Sequence, residues 1–176
     1  VTIEDLTPNT PMAVFITHQG YLKRISLDTF ERQNRATRGK AGIKTKEDDD
    51  IQHFFTAMMH DKVLFFSSKG IVYSLNVYDF PEGGRQSKGL PIVNVLPIEQ
   101  GERITAVVPV SNFSHELNLI MLTQKGYIKR IELDNFVNIR RSGIIAISLE
   151  EGDKLNWVKL ANPNDEIIIG TSCGMA

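Results

Sequence analysis

Three stretches of the chain superimpose on one another: AVFITHQGYLKRISLDTF ending at Phe30, KVLFFSSKGIVYSLNVYDF ending at Phe80, and NLIMLTQKGYIKRIELDNF ending at Phe136. Each holds an apolar strand, a short turn with glycine, a second strand and a closing Asp-Phe or Asp-x-Phe. The turn glycines Gly20, Gly70 and Gly126 are 50 and 56 residues apart, and a fourth copy opens at DEIIIGTSCG with Gly174. A tight turn between twisted strands needs positive φ, which glycine adopts without steric cost. A further pair of segments also repeats. AGIKTK, KGLPIVNVL and SGIIAISL carry Gly42, Gly89 and Gly143, and are followed by IQHFFTAMM, RITAVVPV and LNWVKLA. Self-similarity at a fixed period must be read before any local pattern.

Four short strands per roughly 50 residues predict an all-β chain of propeller-like, four-stranded blades. IQHFFTAMMHD alone fits a helix, because Ile51, Phe54, Phe55 and Met58 fall at helical spacing. Its counterpart RITAVVPV is β-branched, so the repeat predicts a strand there. The expected organisation is a linker over 1–10 and a partial ring over 11–176. Within the ring, blade one covers about 11–60, blade two 61–114 and blade three 115–163, with the start of a fourth at 164–176. One blade cannot bury both faces, so its neighbours must cover them. Three blades and one hairpin do not close a ring, so the chain reads as a piece of a longer protein, with an open array completed by self-association as the alternative.

The copies differ most after the closing Phe. From there to the glycine that opens the next repeated segment, unit two takes 9 residues (Phe80 to Gly89), unit three takes 7 (Phe136 to Gly143) and unit one takes 12 (Phe30 to Gly42). The extra residues of unit one are RQNRATRGKAG, residues 32–42, with four cations and no carboxylate. Repeat-specific insertions map to loops, often on the binding face. From Gly20 to Lys46 there are eight cations against Asp28 and Glu31, in a chain whose net charge is −1. Any polyanion must therefore meet a local concentration of cations. Related cations recur: Lys23 and Arg24 match Lys129 and Arg130, and Arg85 and Lys88 match Arg140 and Arg141. Blades set round an axis would put these on one basic rim.

Other chemistries fit poorly. A P-loop requires G-x-x-x-x-G-K-S/T, but Gly39-Lys40 is followed by Ala41 and Asn34 stands where the first glycine belongs. The consecutive acids of residues 47–50 lack the spacing of a calcium loop and read as a solvated turn. His18, His53, His60 and His115 show no metal-ligand spacing with one another or with Cys173. No Ser/His/Asp or Cys/His constellation stands out, so no catalytic centre is expected. Trp157 and the strand phenylalanines are expected in the core, with base stacking as the alternative. A single cysteine excludes an internal disulfide framework and fits a reducing compartment. No apolar run approaches the roughly 20 residues of a membrane span, and the N-terminus is not a signal peptide. These features point to a soluble intracellular chain.

On these residues the chain resembles the family of DNA gyrase A C-terminal domains, within the type IIA topoisomerases. The resemblance runs from residue 10 to 176, through THQGY, VYSLNVYDFPEGGRQSKGLPIVNVLPIEQGERITAVVPV and GIIAISLEEGDKL. It implies a β-pinwheel, a propeller-like ring of roughly six blades, of which about three and a quarter are present. The family's hallmark is a Q-R-R-G-G-R-G heptapeptide after the first hairpin of the first blade. Here it falls on residues 33–39, where Gln33, Arg35, Arg38 and Gly39 match while Asn34, Ala36 and Thr37 depart.

The DNA-binding residues so implied are Arg32, Gln33, Arg35, Arg38, Gly39 and Lys40, joined round the rim by Lys23, Arg24, Lys44, Arg85, Lys88, Lys129, Arg130, Arg140 and Arg141. The implied partner is double-stranded DNA, bound without regard to sequence and wrapped round the rim. The parent would pair with gyrase B in a cytoplasmic heterotetramer that introduces negative supercoils by ATP-dependent strand passage. ATP and Mg2+ would act through other domains or subunits, leaving no cofactor and no metal in this stretch. The alternatives are the corresponding domain of topoisomerase IV, which generally lacks or degrades the heptapeptide, and a protein-binding propeller.

Overall fold

The computed structural model describes residues 3–36, 50–84, 86–162 and 165. Among the described residues, eleven strands build three antiparallel sheets. Strands β1 (Pro11–Thr17), β2 (Tyr21–Ser26) and β3 (Ile51–Met58) form most of the first. The second contains β4 (Lys62–Ser67), β5 (Ile71–Asn76) and β7 (Ile104–Val110), and the third β8 (Asn118–Thr123), β9 (Ile128–Glu132) and β11 (Leu155–Ala161). In each, the hairpin predicted from the repeat is present, with positive φ at its turn glycine: 86° at Gly20, 79° at Gly70 and 95° at Gly126. Ile51–Met58 is a strand, as the repeat requires.

The two remaining short strands correct the predicted blades. Strand β6 (Leu90–Pro91) belongs to unit two yet pairs with β2 of unit one, and β10 (Ile144–Ile145) of unit three pairs with β5 of unit two. The sheet orders are therefore β3-β1-β2-β6 and β10-β5-β4-β7. A blade does not close within 11–60 or 61–114: each takes its fourth strand from the next unit. Periodicity shows that a strand exists but not which neighbour it bonds. The exchanged strand docks on the preceding turn, where Ile92 donates its amide to Gly20 (2.7 Å) and Ala146 to Gly70 (2.8 Å). The segment read as the start of a fourth blade lies outside the described residues, apart from Asp165.

Alternation along the strands splits the core in two. Val14, Ile16 and Leu22 of blade one meet Val63, Phe65 and Tyr73 of blade two. Leu64, Phe66 and Val108 of blade two meet Leu119, Met121 and Val158 of blade three. Each blade thus gives alternate residues to opposite neighbours, as period-two side chains dictate. Strand β7 touches both β3 and β11, so these strands gather on one side of the array. The exchanged strands β6 and β10 lie at the opposite edge of their sheets.

Two elements stand outside the blades. The predicted linker includes a short helix, α1 (Ile3–Leu6), and is strapped to the β3–β4 turn. There the His60 ring lies 2.6 Å from the Thr7 carbonyl, and the His60 amide donates to Asn9 Oδ1 at 2.9 Å. The second is a ten-residue helix, α2 (Leu27–Ala36), where units two and three make only a 3-10 turn, at Val77–Asp79 and Leu133–Phe136.

Candidate nucleic-acid interface

Helix α2 carries the first part of the cationic stretch, through Ala36, where the repeat comparison predicts a loop. Its apolar residues Leu27 and Phe30 lie on the face of blade one formed by Ala13, Phe15 and Ile25. Phe30 joins Phe15 and Phe54 in an aromatic cluster, with ring centroids 4.9 to 5.7 Å apart. That contact seats the helix and turns its charged residues outward. The Arg32 and Arg35 side chains are 71% and 79% exposed. Arg32 hydrogen-bonds Asp28, holding that carboxyl below its usual pKa, and Arg35 stands 3.8 Å from Glu31. Both pairs are spaced i, i+4, the arrangement that supports a helix surface. Such exposed pairs are weak, so a phosphate can compete for either arginine. The apolar spacing of Leu27 and Phe30, with these two acid–arginine pairs, is the sequence signal for the helix. Gln33 is half-buried on it. Arg38, Gly39, Lys40 and Lys44 lie outside the described residues, as does Arg85.

The other predicted cations divide into two groups. Lys88, Arg130, Arg140 and Arg141 are exposed. Lys88, Arg140 and Arg141 lie on or beside the segments that lead into the exchanged strands, at the outer edge of the sheets. Lys88 extends over the Tyr21 ring, 4.3 Å from its centroid, which limits its freedom. Arg130 lies on β9, and Lys129 beside it is exposed while its ammonium donates to the Ala146 carbonyl at 3.0 Å.

Lys23 and Arg24 differ, and the assignment of Lys23 to the exposed rim is corrected. Lys23 is only 2% exposed. Its ammonium donates to the carbonyls of Ser87 (2.9 Å) and Gly84 (3.2 Å) and lies 5.7 Å from the centre of the Phe15 ring. Arg24 is half-buried, and its Nε donates to the Phe80 carbonyl at 2.8 Å. Strand exchange brings the unit-two crossover across β2, and these two side chains are used in holding it. Trp157 also departs from expectation: it is 53% exposed rather than in the core, and Phe54 is half-exposed.

One histidine beside this region sets a pH limit. His53 on β3 is half-buried, and its Nε2 has no hydrogen-bond partner among the described residues. Burial, reinforced by His18, lowers its pKa below the ordinary value. A lowered folded pKa means that the unfolded chain binds the proton more readily. The stability this contributes is complete above about pH 6.5, the unfolded value, and is lost as the pH falls from there through the folded pKa. His53→Gln should flatten the fall in melting temperature between about pH 7 and 5. Melting curves of both proteins at half-unit pH steps check this; parallel curves would remove His53 as the cause.

Comparison with known proteins agrees with the fold. A family described as DNA gyrase C-terminal domain, beta-propeller, matches three times, at residues 12–57, 61–111 and 117–162. The chain is 53% identical over 172 residues to the DNA gyrase A protein of Synechocystis sp., covering 98% of the chain and 20% of that protein. It is 45% identical to the chloroplastic/mitochondrial gyrase A of Nicotiana benthamiana, covering 97% of the chain and 18% of that protein. It therefore spans about a fifth of these relatives' lengths. Among solved structures, a topoisomerase IV C-terminal domain superimposes with TM-score 0.76 at 25% identity, over 88% of the chain and 46% of that domain. A DNA gyrase A C-terminal domain superimposes with TM-score 0.58 at 21% identity, over 87% of the chain and 48% of that domain. These two superpositions reflect a shared fold, whereas the much higher sequence identities fall on gyrase A.

Proposed function

The chain belongs to the family of DNA gyrase C-terminal domains, and from that membership we propose that it binds duplex DNA along its outer rim and wraps it. The observation that carries the reading is the seating of α2: an aromatic cluster fixes the helix on blade one and leaves Arg32 and Arg35 exposed. Lys88, Arg140 and Arg141 of the next crossovers and Arg130 of β9 add further exposed cations. Guanidinium and ammonium groups on exposed backbone turns suit phosphate oxygens, which carry no base identity. Binding is therefore tolerant of sequence. Bending a duplex costs on the order of 1–6 kcal/mol per 20–30 base pairs, which distributed phosphate contacts and counterion release offset.

In this reading Arg38, Gly39, Lys40, Lys44 and Arg85 extend the contact, and Lys23 and Arg24 do not take part directly. The parent is a gyrase whose A subunits assemble with B subunits, in the bacterial cytoplasm or, as in the plant relatives, in organelles. Strand cleavage, ATP hydrolysis and the Mg2+ they use belong to other parts of that assembly. The wrapped segment is presented for passage, giving negative supercoils. Relatives at up to 53% identity named as gyrase A favour this parent over a topoisomerase IV.

The direct test is salt. If only the six exposed cations Arg32, Arg35, Lys88, Arg130, Arg140 and Arg141 each neutralise one phosphate, the logarithm of the binding constant for random-sequence duplex should fall with the logarithm of salt concentration at a slope of about −5, and more steeply with each further contact. A slope near zero would overturn the proposal.

A further inference from the structure

The strand exchange poses a problem that one residue solves. The unit-two crossover leaves Phe80, runs beside β2, turns at Gly84–Ser87 and returns as β6. Along the way Arg24 donates its amide to Pro81 (2.9 Å) and Gly83 donates to Arg24 (3.0 Å). The turn itself closes through a backbone bond from the Ser87 amide to the Gly84 carbonyl, at 3.0 Å. Both of its terminal carbonyls converge on the Lys23 ammonium. Gly83 and Gly89 lie against the same side chain, close enough that a Cβ on either would come within 3.6 and 3.2 Å of Lys23 Cβ. The crossover is thus folded round a buried cation.

We infer that Lys23 is a positioning residue for DNA binding: by capping the Gly84 and Ser87 carbonyls it fixes the turn that presents Lys88 to the phosphate backbone. Lys88 directly follows Ser87, and its ammonium is already oriented over Tyr21, the second residue before Lys23 on β2. Residues two apart on a strand share a face, so the turn and the lysine that leaves it are both held by one face of β2. The equivalent position in blade two shows the contrast. There Tyr73 replaces lysine, its hydroxyl donates to Glu102 (2.9 Å), and the crossover it receives is the shorter one of unit three. Burial lowers the Lys23 pKa, and the Gly84 and Ser87 carbonyls that face its ammonium are neutral.

The inference rests on the proposed DNA binding, and a double-variant cycle separates the two. Lys88→Ala should reduce the salt slope by about 0.9, one phosphate. Lys23→Met, although it removes a buried group, should reduce it by at least as much. Lys88→Ala added to Lys23→Met should then change the slope no further. Additive effects, or a wild-type slope in Lys23→Met, would overturn the positioning role. A salt-independent wild type would overturn the function itself. A measurement on the unaltered chain covers the case in which Lys23→Met does not fold. An amine-acetylating reagent should modify Lys88 at least tenfold faster than Lys23, and equal rates would refute the buried cap.

Discussion

Replacing Arg35, Arg38 and Lys40 together by alanine in the full-length protein should abolish negative supercoiling while relaxation of supercoiled plasmid continues. Arg35 sits in the last turn of α2, with its side chain largely exposed and only a loose pairing to Glu31. Removing such a pair costs little stability. The helix stays in place because Phe30 and Leu27, not the arginines, hold it on blade one. The variant should therefore melt within a few degrees of the parent. What it loses is up to three phosphate contacts, so the salt slope of duplex binding should drop by about 2.7. Relaxation requires strand passage but no directional wrap, and it separates the two roles. If plasmid assays show both activities falling together, or neither, residues 35–40 have no special part in wrapping.

The second large effect concerns stability, at the point where the units exchange strands. Gly89 has φ of 90°, and a Cβ there would stand 2.2 Å from the Leu22 carbonyl oxygen and 2.9 Å from its carbon. These are backbone atoms of a central strand and cannot swing away. Gly89→Ala should therefore lower stability by roughly 2–4 kcal/mol, combining left-handed backbone strain with forced separation of β6 from β2. For a domain of this size that is a fall in melting temperature of about 4–16 °C. Gly126→Ala is the matched control. Its φ is 95°, but a Cβ would meet nothing within 4 Å. Only the backbone term applies, so the loss should be about 1 kcal/mol. Equal losses in calorimetry would mean that the close crossing at Gly89 carries no energy.

Much of this architecture is legible without coordinates because repetition averages out local ambiguity. Ile51–Met58 shows this: helical spacing by itself, a strand once its counterparts are compared, and a strand in the structure. The hairpins follow from turn glycines and alternating apolar residues, both of which are local properties. The helix at Leu27–Ala36 is also written in the sequence, since Asp28–Arg32 and Glu31–Arg35 are paired i, i+4 and Leu27 and Phe30 share a face. There the repeat misleads, because units two and three have only a 3-10 turn at the same place.

The rim was legible as charge but not as geometry. Lys23-Arg24 and Lys129-Arg130 are the same dipeptide in the same place in their hairpins. One pair is drawn into the fold by a crossover and the other is exposed. Trp157 makes the same point from the apolar side, being on a strand but more than half exposed.

Sequence alone determined the all-β class, the repeat period, the hairpin turn positions and the concentration of cations after the first hairpin. These depend on residue type and short spacing, which the chain carries wherever it folds. Tertiary structure decided which unit completes which blade and, with that, which lysines reach the surface. Hydrogen-bonding edges are alike in every copy, and only the path of the crossover selects the edge that is filled. That path folds round Lys23 and leaves Lys88 exposed.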